Sequence, residues 1–254
     1  MRSFFPKYVA DILLPLLAGT VDPLLGLAYP RFCIICESRI ESHRFGSACR
    51  KCWAANHYFS NDDPLCFKCG KMMTGNNASS ELDCHQCSEH CYDNAVAVGT
   101  YTGAIKQAIL KLKTVPNIPE HLNELIEKRL QKLENSQIDL VIPIPLSERR
   151  YHERGFNQAE LVADRVGRIL DVKVDHLSLA RVKHSPMHRA GMDRKAREKT
   201  VFKAFAVKRP RLIGGKRILL VDDVLTSGST ASACAKELKA NGAVSVGLFT
   251  IGRA

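Results

Sequence analysis

The 254-residue chain lacks any uninterrupted apolar run near the roughly 20 residues that a membrane-spanning helix needs, and no A-x-A-like cleavage site follows its charged start. The Leu-, Val- and Phe-rich stretch over residues 4–29 is interrupted by Pro6, Asp11, Pro15, Asp22 and Pro23, which argues against both a spanning helix and a processed signal peptide. It reads instead as an arm (1–29) of two short helices broken near Pro15 and Pro23. The arm packs on the protein or on a second copy, or makes peripheral membrane contact. Acids are also scarce: 26 Asp and Glu stand against 37 Lys and Arg, a formal charge of +11. Such a chain suits polyanionic partners such as phosphorylated metabolites, nucleic acid or acidic lipid, and charge alone does not choose among them. The length allows one large α/β domain plus a small appendage, because cores stop growing before two full-sized domains would fit.

Cysteine, by contrast, is abundant. Nine of the ten cysteines lie between Cys33 and Cys91, and eight of them form four CxxC knuckles: Cys33/Cys36, Cys49/Cys52, Cys66/Cys69 and Cys84/Cys87, separated by 12, 13 and 14 residues. Without a secretory leader the pattern reads as metal binding in a reducing cytoplasm rather than as disulfides. Two knuckles make one tetrahedral four-thiolate site, so four make two, and the short spacers suit zinc-ribbon hairpins. The two zinc ions are expected to be structural, replacing a core that about 60 residues cannot build. Sequential pairing is expected, with an interleaved arrangement left open. His43, His57, His85 and His90 are substitute ligands, and Cys91 is a ninth thiol with no evident pair.

Residues 216–230 read KRILLVDDVLTSGST. The apolar run over 218–221 suits a buried parallel strand, and residues 229–241 carry Cys234 and Leu238 at helical spacing before Gly242. Strand, loop and helix in that order place Asp222 and Asp223 at a strand's carboxyl end, where open α/β sheets collect ligands. Two adjacent carboxylates suit the vicinal hydroxyls of a ribose. Thr226, Ser227, Gly228, Ser229 and Thr230 offer backbone N–H groups and hydroxyls at a helix N-terminus, a cradle for a 5′-phosphate. Cys234, at helical spacing with Leu238, reads as plain core.

The order of strand, paired acids and T-S-G-S-T resembles the phosphoribosyl-pyrophosphate (PRPP) loop of type I phosphoribosyltransferases. Further landmarks narrow the likeness: VIPIPLSERRYHERGFNQ over 141–158, the Tyr101-x-Gly103 helix start, and the cysteine knuckles. With these, the chain from Cys33 to Arg253 resembles the ComF family, phosphoribosyltransferase-like proteins associated with DNA uptake. The resemblance implies an α/β fold: a type I phosphoribosyltransferase-like parallel sheet with helices on both faces (94–254), preceded by a small double zinc-ribbon domain (30–93). It also implies Mg2+ bound with PRPP, and a pyrophosphate-side loop at 142–145, including Pro143 and Ile144, with backbone N–H groups facing the leaving oxygens. Arg149, Arg150 and Arg154 are nearby candidates for the same charge. Arg189 and Thr200 stand where relatives often carry Gln and Asn.

Strands are expected near residues 95–101, 139–144, 172–176, 217–222 and 244–251. The basic segment 184–199, with Gly191, reads either as a flap over the ligand or as a solvated loop. Lys106, Lys111 and Lys113 lie on a helix over 103–113, either as a solvated face or as contacts to nucleic-acid phosphate. Two functions are carried forward. One is Mg2+-dependent phosphoribosyl transfer from PRPP to an unidentified acceptor. The other is single-stranded-DNA handling in natural transformation, alongside other competence proteins, with a regulatory or vestigial PRPP site.

Overall fold

The computed structural model describes residues 30–60, 62–73, 84, 87–131, 137–182 and 204–254. The expected arm over 1–29, His85, and the basic segment 184–199 with Arg189, Gly191 and the neighbouring Thr200 lie outside the described residues.

Four parallel strands form the main sheet in the order β1-β6-β5-β2: β1 Asn94–Thr100, β2 Leu140–Pro143, β5 Arg217–Leu225 and β6 Ser245–Arg253. A two-stranded antiparallel hairpin, β3 Leu179–Arg181 with β4 Phe205–Val207, stands apart from it. The central strand β5 runs three residues past the expected end. Its pairing with β6 extends from Arg217↔Ser245 to Leu225↔Arg253 and so carries both acids within the ladder. The strand expected over 172–176 reduces to one parallel bridge, Val141↔Val174. The cause is Asp175, whose Oδ1 accepts the amides of Leu177 (2.9 Å) and Ser178 (3.1 Å) and turns the chain out of the sheet.

Alternation along β5 assigns its two faces. Leu219 and Val221 point to one side with Val98, Val141, Phe249 and Ile251, and Ile218 and Leu220 point to the other with Ile142, Val246 and Leu248. Helices α2 Gly103–Leu112, α3 Glu120–Leu130 and α5 Gln158–Leu170 cover the first face; α6 Ser229–Ala240 covers the second. Their apolar residues recur at helical spacing, as in Leu122, Ile126 and Leu130 of α3, each fully buried. Two shorter helices, α1 Arg50–Ala54 and α4 Glu148–Arg154, lie in the ribbon segment and after β2.

The ribbons share this core instead of building one. Ile40, Phe45 and Trp53 of the first pack among Ile105, Leu122 and Ile126, while Tyr92, just after the second, packs with Leu220 and Leu248 on the opposite face. Each ribbon therefore covers its own side of the sheet. The first also completes α2. Thr102, at that helix's N-cap, makes no side-chain cap bond. Asn56 of the ribbon does so in its place: Oδ1 accepts the amides of Ala104 (2.7 Å) and Ile105 (3.4 Å), and Nδ2 donates to Thr102 O (3.0 Å). Gly103, at φ +46, leaves no room for a Cβ, which would stand 2.8 Å from Asn56 Oδ1.

Asn56 is buried, so Asn56→Ala leaves the first-turn amides of α2 without a partner. We expect a loss of about 1–2 kcal/mol of unfolding free energy in denaturant melts of the zinc-loaded protein, with metal content unchanged.

Candidate functional site

The eight knuckle cysteines gather as two groups, Cys33/Cys36/Cys49/Cys52 and Cys66/Cys69/Cys84/Cys87, each with its sulfurs within 4.8 Å of one another. Pairing is thus sequential. The two leading knuckles are built alike. The residue before each first cysteine bridges antiparallel to the third residue after the second, Phe32↔Arg39 and Leu65↔Met72, and the turns close through left-handed Glu37 and Gly70. Sulfur separations of 3.6 Å (Cys36–Cys49), 3.5 Å (Cys66–Cys87) and 3.5 Å (Cys69–Cys84) approach the roughly 3.8 Å edge of a tetrahedron with zinc–sulfur bonds of about 2.3 Å. The thiols also conflict electrostatically. Hydrogen bonding by Ser38 draws Cys36 down to about 6, while burial, and then its neighbouring thiols, push Cys52 up. A cation at the centre removes that conflict, and the donor set fits two structural zinc ions. The described histidines stay outside both groups; His57 instead faces Asp63 at 3.0 Å.

At the carboxyl end of β5 the strand, Asp222 and the start of α6 form one cleft of about 50 Å³, lined by Asp222, residues 224–231, Leu248 and Thr250, and Asp223 stands outside that lining. That is room for a few water molecules, at roughly 10–15 Å³ of such space for each. Gly228 caps α6 in the left-handed region (φ +79) with no side-chain cap bond of its own, the Ser229 amide donates to Ser227 Oγ at 3.5 Å, and residues 229–231 of the first turn line the cleft. Thr226 and Ser227 are exposed, and Ser227 Oγ lies 3.1 Å from Ser229 Oγ. Asp222 and Asp223 are partly buried, and the Asp223 amide donates to Asp222 Oδ1 at 2.8 Å. Burial first, then the adjacent Asp223 charge, hold the Asp222 carboxyl well above the usual carboxylate range; Lys113 pulls it back.

Lys113 marks a departure from its neighbours. Lys106 and Lys111 are exposed on α2, but Lys113, at that helix's C-cap, sets Nζ 3.3 Å from Asp223 Oδ2. It belongs to the acid pair. The pyrophosphate-side expectation needs correction in one respect: Pro143 and Pro145 have no amide hydrogen, and the Ile144 N–H donates to Val221 O at 2.9 Å, so the sheet has taken it. Of the three arginines on α4, Arg149 is exposed and pairs with Glu153 at 2.7 Å, and Arg154 donates to Gln158 Oε1 at 2.7 Å. Arg150 is exposed, close enough for its charge to act on Arg181 at the last position of β3. Arg181 stacks on Phe205 at 5.3 Å, and burial, then Arg150, lower its pKa. A lone Arg after a short apolar run carries no legible signal, and Arg181 was not among the sequence candidates.

With this geometry in hand, residues 109–253 match the phosphoribosyl transferase domain family and residues 24–91 match the double zinc ribbon domain. The chain belongs to the phosphoribosyl transferase domain family. The resemblance to ComF proteins is borne out by relatives spanning almost their whole length. These include DNA utilization protein YhgH of Escherichia coli K12 (27% identical, 89% of this chain and 99% of the relative). Competence protein F of Haemophilus influenzae (29%; 83% and 98%) and competence protein ComFC of Bacillus subtilis (24%; 89% and 96%) are similar in the same way. Among solved structures, purine phosphoribosyltransferase from Pyrococcus horikoshii is 16% identical, with a TM-score of 0.34 over 53% of this chain and 83% of that one. No helix among the described residues is long and apolar enough to cross a membrane.

The cysteine geometry predicts two zinc equivalents per chain by native mass spectrometry. Cys36→Ser and Cys66→Ser should each reduce the content to one equivalent, because neither group can complete four thiolates from the other's cysteines.

Proposed function

We propose that the chain binds PRPP with Mg2+ at the carboxyl end of β5 and transfers its phosphoribosyl group to an acceptor. The observation that carries the reading is the meeting of Asp222 and the N-terminus of α6 across one small cleft, with a second partly buried carboxylate, Asp223, next to it in the strand. In this reading Asp222 and Asp223 hold the ribose hydroxyls, while Thr226, Ser227, Gly228, Ser229 and Thr230 hold the 5′-phosphate on backbone N–H and hydroxyl groups. Breaking the bond from ribose C1 to pyrophosphate builds an oxocarbenium-like ribose and a leaving group of several negative charges. Bound Mg2+ would supply charge to that leaving group. Arg150 and Arg181 would add to it from the side of β2, and Lys113 would keep Asp223 oriented until the ribose arrives.

Two ionised acids are the state that accepts hydroxyl protons, and Asp222 resists ionisation in the free protein. Binding therefore expels a proton, and affinity falls as pH is lowered through the raised range of Asp222. Titration calorimetry of Mg2+–PRPP into zinc-loaded protein should show proton release in buffers of different ionisation enthalpy. Asp223→Ala should weaken binding about 100-fold or more, the loss of charge-assisted hydrogen bonds. Undiminished binding by that variant would sink the assignment.

A second reading, single-stranded-DNA handling, is favoured by the names of the relatives and by the exposed Lys106 and Lys111 on a chain of charge +11. It expects oligonucleotide binding at 50 mM salt that falls steeply by 200 mM as counterion release is suppressed. Lys106→Glu/Lys111→Glu should weaken it, and no binding at low salt would remove the reading.

A further inference from the structure

The second ribbon grips the phosphate-binding loop directly. Arg253, at the end of β6 and buried, donates Nη1 to the carbonyls of Leu225 (3.1 Å) and Thr226 (2.9 Å), the two residues that open the loop. The same guanidinium donates Nε to Cys69 O (2.9 Å) and sets Nη2 3.6 Å from Cys69 Sγ, a ligand of the second four-cysteine group. One planar fork thus ties a metal knuckle to the loop. A lysine could not copy it, having a single ammonium point where Arg253 reaches several acceptors at once.

A second contact is independent of Arg253. A Cβ at Gly228 would stand 2.6 Å from His90 Cε1 and 2.8 Å from Tyr92 Oη. His90 Nδ1 and Tyr92 Oη are themselves 2.7 Å apart, and Tyr92 is fully buried. Between them, the Cys91 N–H donates to Ser232 Oγ in the first turn of α6 at 3.0 Å. Residues 90–92, three to five positions after Cys87, are therefore wedged against the cap and first turn of α6.

We propose that the second cysteine group is a positioning device for the phosphate loop, with Arg253 as the coupling residue, so that metal retention at Cys66/Cys69/Cys84/Cys87 and ribose-phosphate binding are reciprocally linked. The first group, on the opposite face of the sheet with α2 and α3, lies outside this linkage. Any ligand that binds the positioned loop more tightly than the released loop must stabilise the knuckle by the same factor. The inference rests on the proposed PRPP site for its ligand arm only.

The test uses the full-length protein with both zinc equivalents bound. In one arm, zinc is withdrawn stepwise by a chromophoric chelator while hydrogen exchange is followed over residues 225–236, which include the Ser232 amide bonded to Gly228 O. Exchange there should rise at least tenfold with the loss of one equivalent, while α3 and α5 remain protected. In the second, Arg253→Lys should reproduce that local rise with both equivalents retained and should lower Mg2+–PRPP affinity at least tenfold. In the third, saturating Mg2+–PRPP should slow release of one zinc equivalent of the wild-type protein at least fivefold and leave the other unchanged. Protection over 225–236 that survives removal of both equivalents overturns the proposal, and so do equal loop exchange in Arg253→Lys and two zinc release rates indifferent to bound ligand. A wild-type protein that does not bind PRPP counts against the proposed function alone, since the withdrawal arm needs neither ligand nor variant.

Discussion

The ladder between β5 and β6 is the constraint on which the rest of the molecule depends. Two nine-residue parallel strands held from Arg217↔Ser245 to Leu225↔Arg253 bring the acids, the turn into α6 and Arg253 to one end of the sheet. Because their side chains are buried on both faces, each face needs a cover, and a parallel pair can only be joined by a crossover, here α6. The crossover's own N-terminus then falls beside the acids. At the other end of the strand, Asp139 bonds both the backbone and the side chain of Arg217, which anchors β5 against the segment leading into β2.

The metal ribbons are best understood as parts of that cover. A four-thiolate zinc site can contribute on the order of 10 kcal/mol to a fold, enough to order a short knuckle that has few apolar residues of its own. Once ordered, the first ribbon delivers Trp53 and Asn56, one buried among the helices and the other capping α2. The second delivers Tyr92 and the Cys69 carbonyl to the opposite face. Helix α2 in turn ends at Lys113 against Asp223, so ribbon-borne contacts reach the acids from one side and the start of α6 from the other.

Electrostatics at the site follow from this enclosure. Two carboxylates adjacent in sequence, both partly buried at a strand end, repel one another; Lys113 offsets part of that cost and an incoming cation or pair of hydroxyls would offset more. The N-terminus of α6 supplies the opposite sign a few residues further on.

What the sequence by itself determined is whatever depends on neighbours along the chain. The CxxC pairs, the apolar run into Asp222 and Asp223, and the turn over 226–230 that opens α6 each complete their geometry within a few residues, so local spacing was sufficient to read them. Strands β1, β2, β5 and β6 were legible for the same reason. The expected strand at 172–176 failed because Asp175 captures two backbone amides, a side-chain bond that apolar periodicity does not report. The Ile144 amide was misjudged because its partner, Val221, is distant in sequence. Only the tertiary structure decided the sequential pairing of the knuckles, the ribbon cap on α2, the placement of Lys113 on Asp223, and the fork of Arg253 between Cys69 and the loop. Each joins residues tens to nearly two hundred positions apart or, for the knuckles, settles the expected sequential pairing against the interleaved one that spacing left open, and the folding of the chain brings such groups within bonding distance.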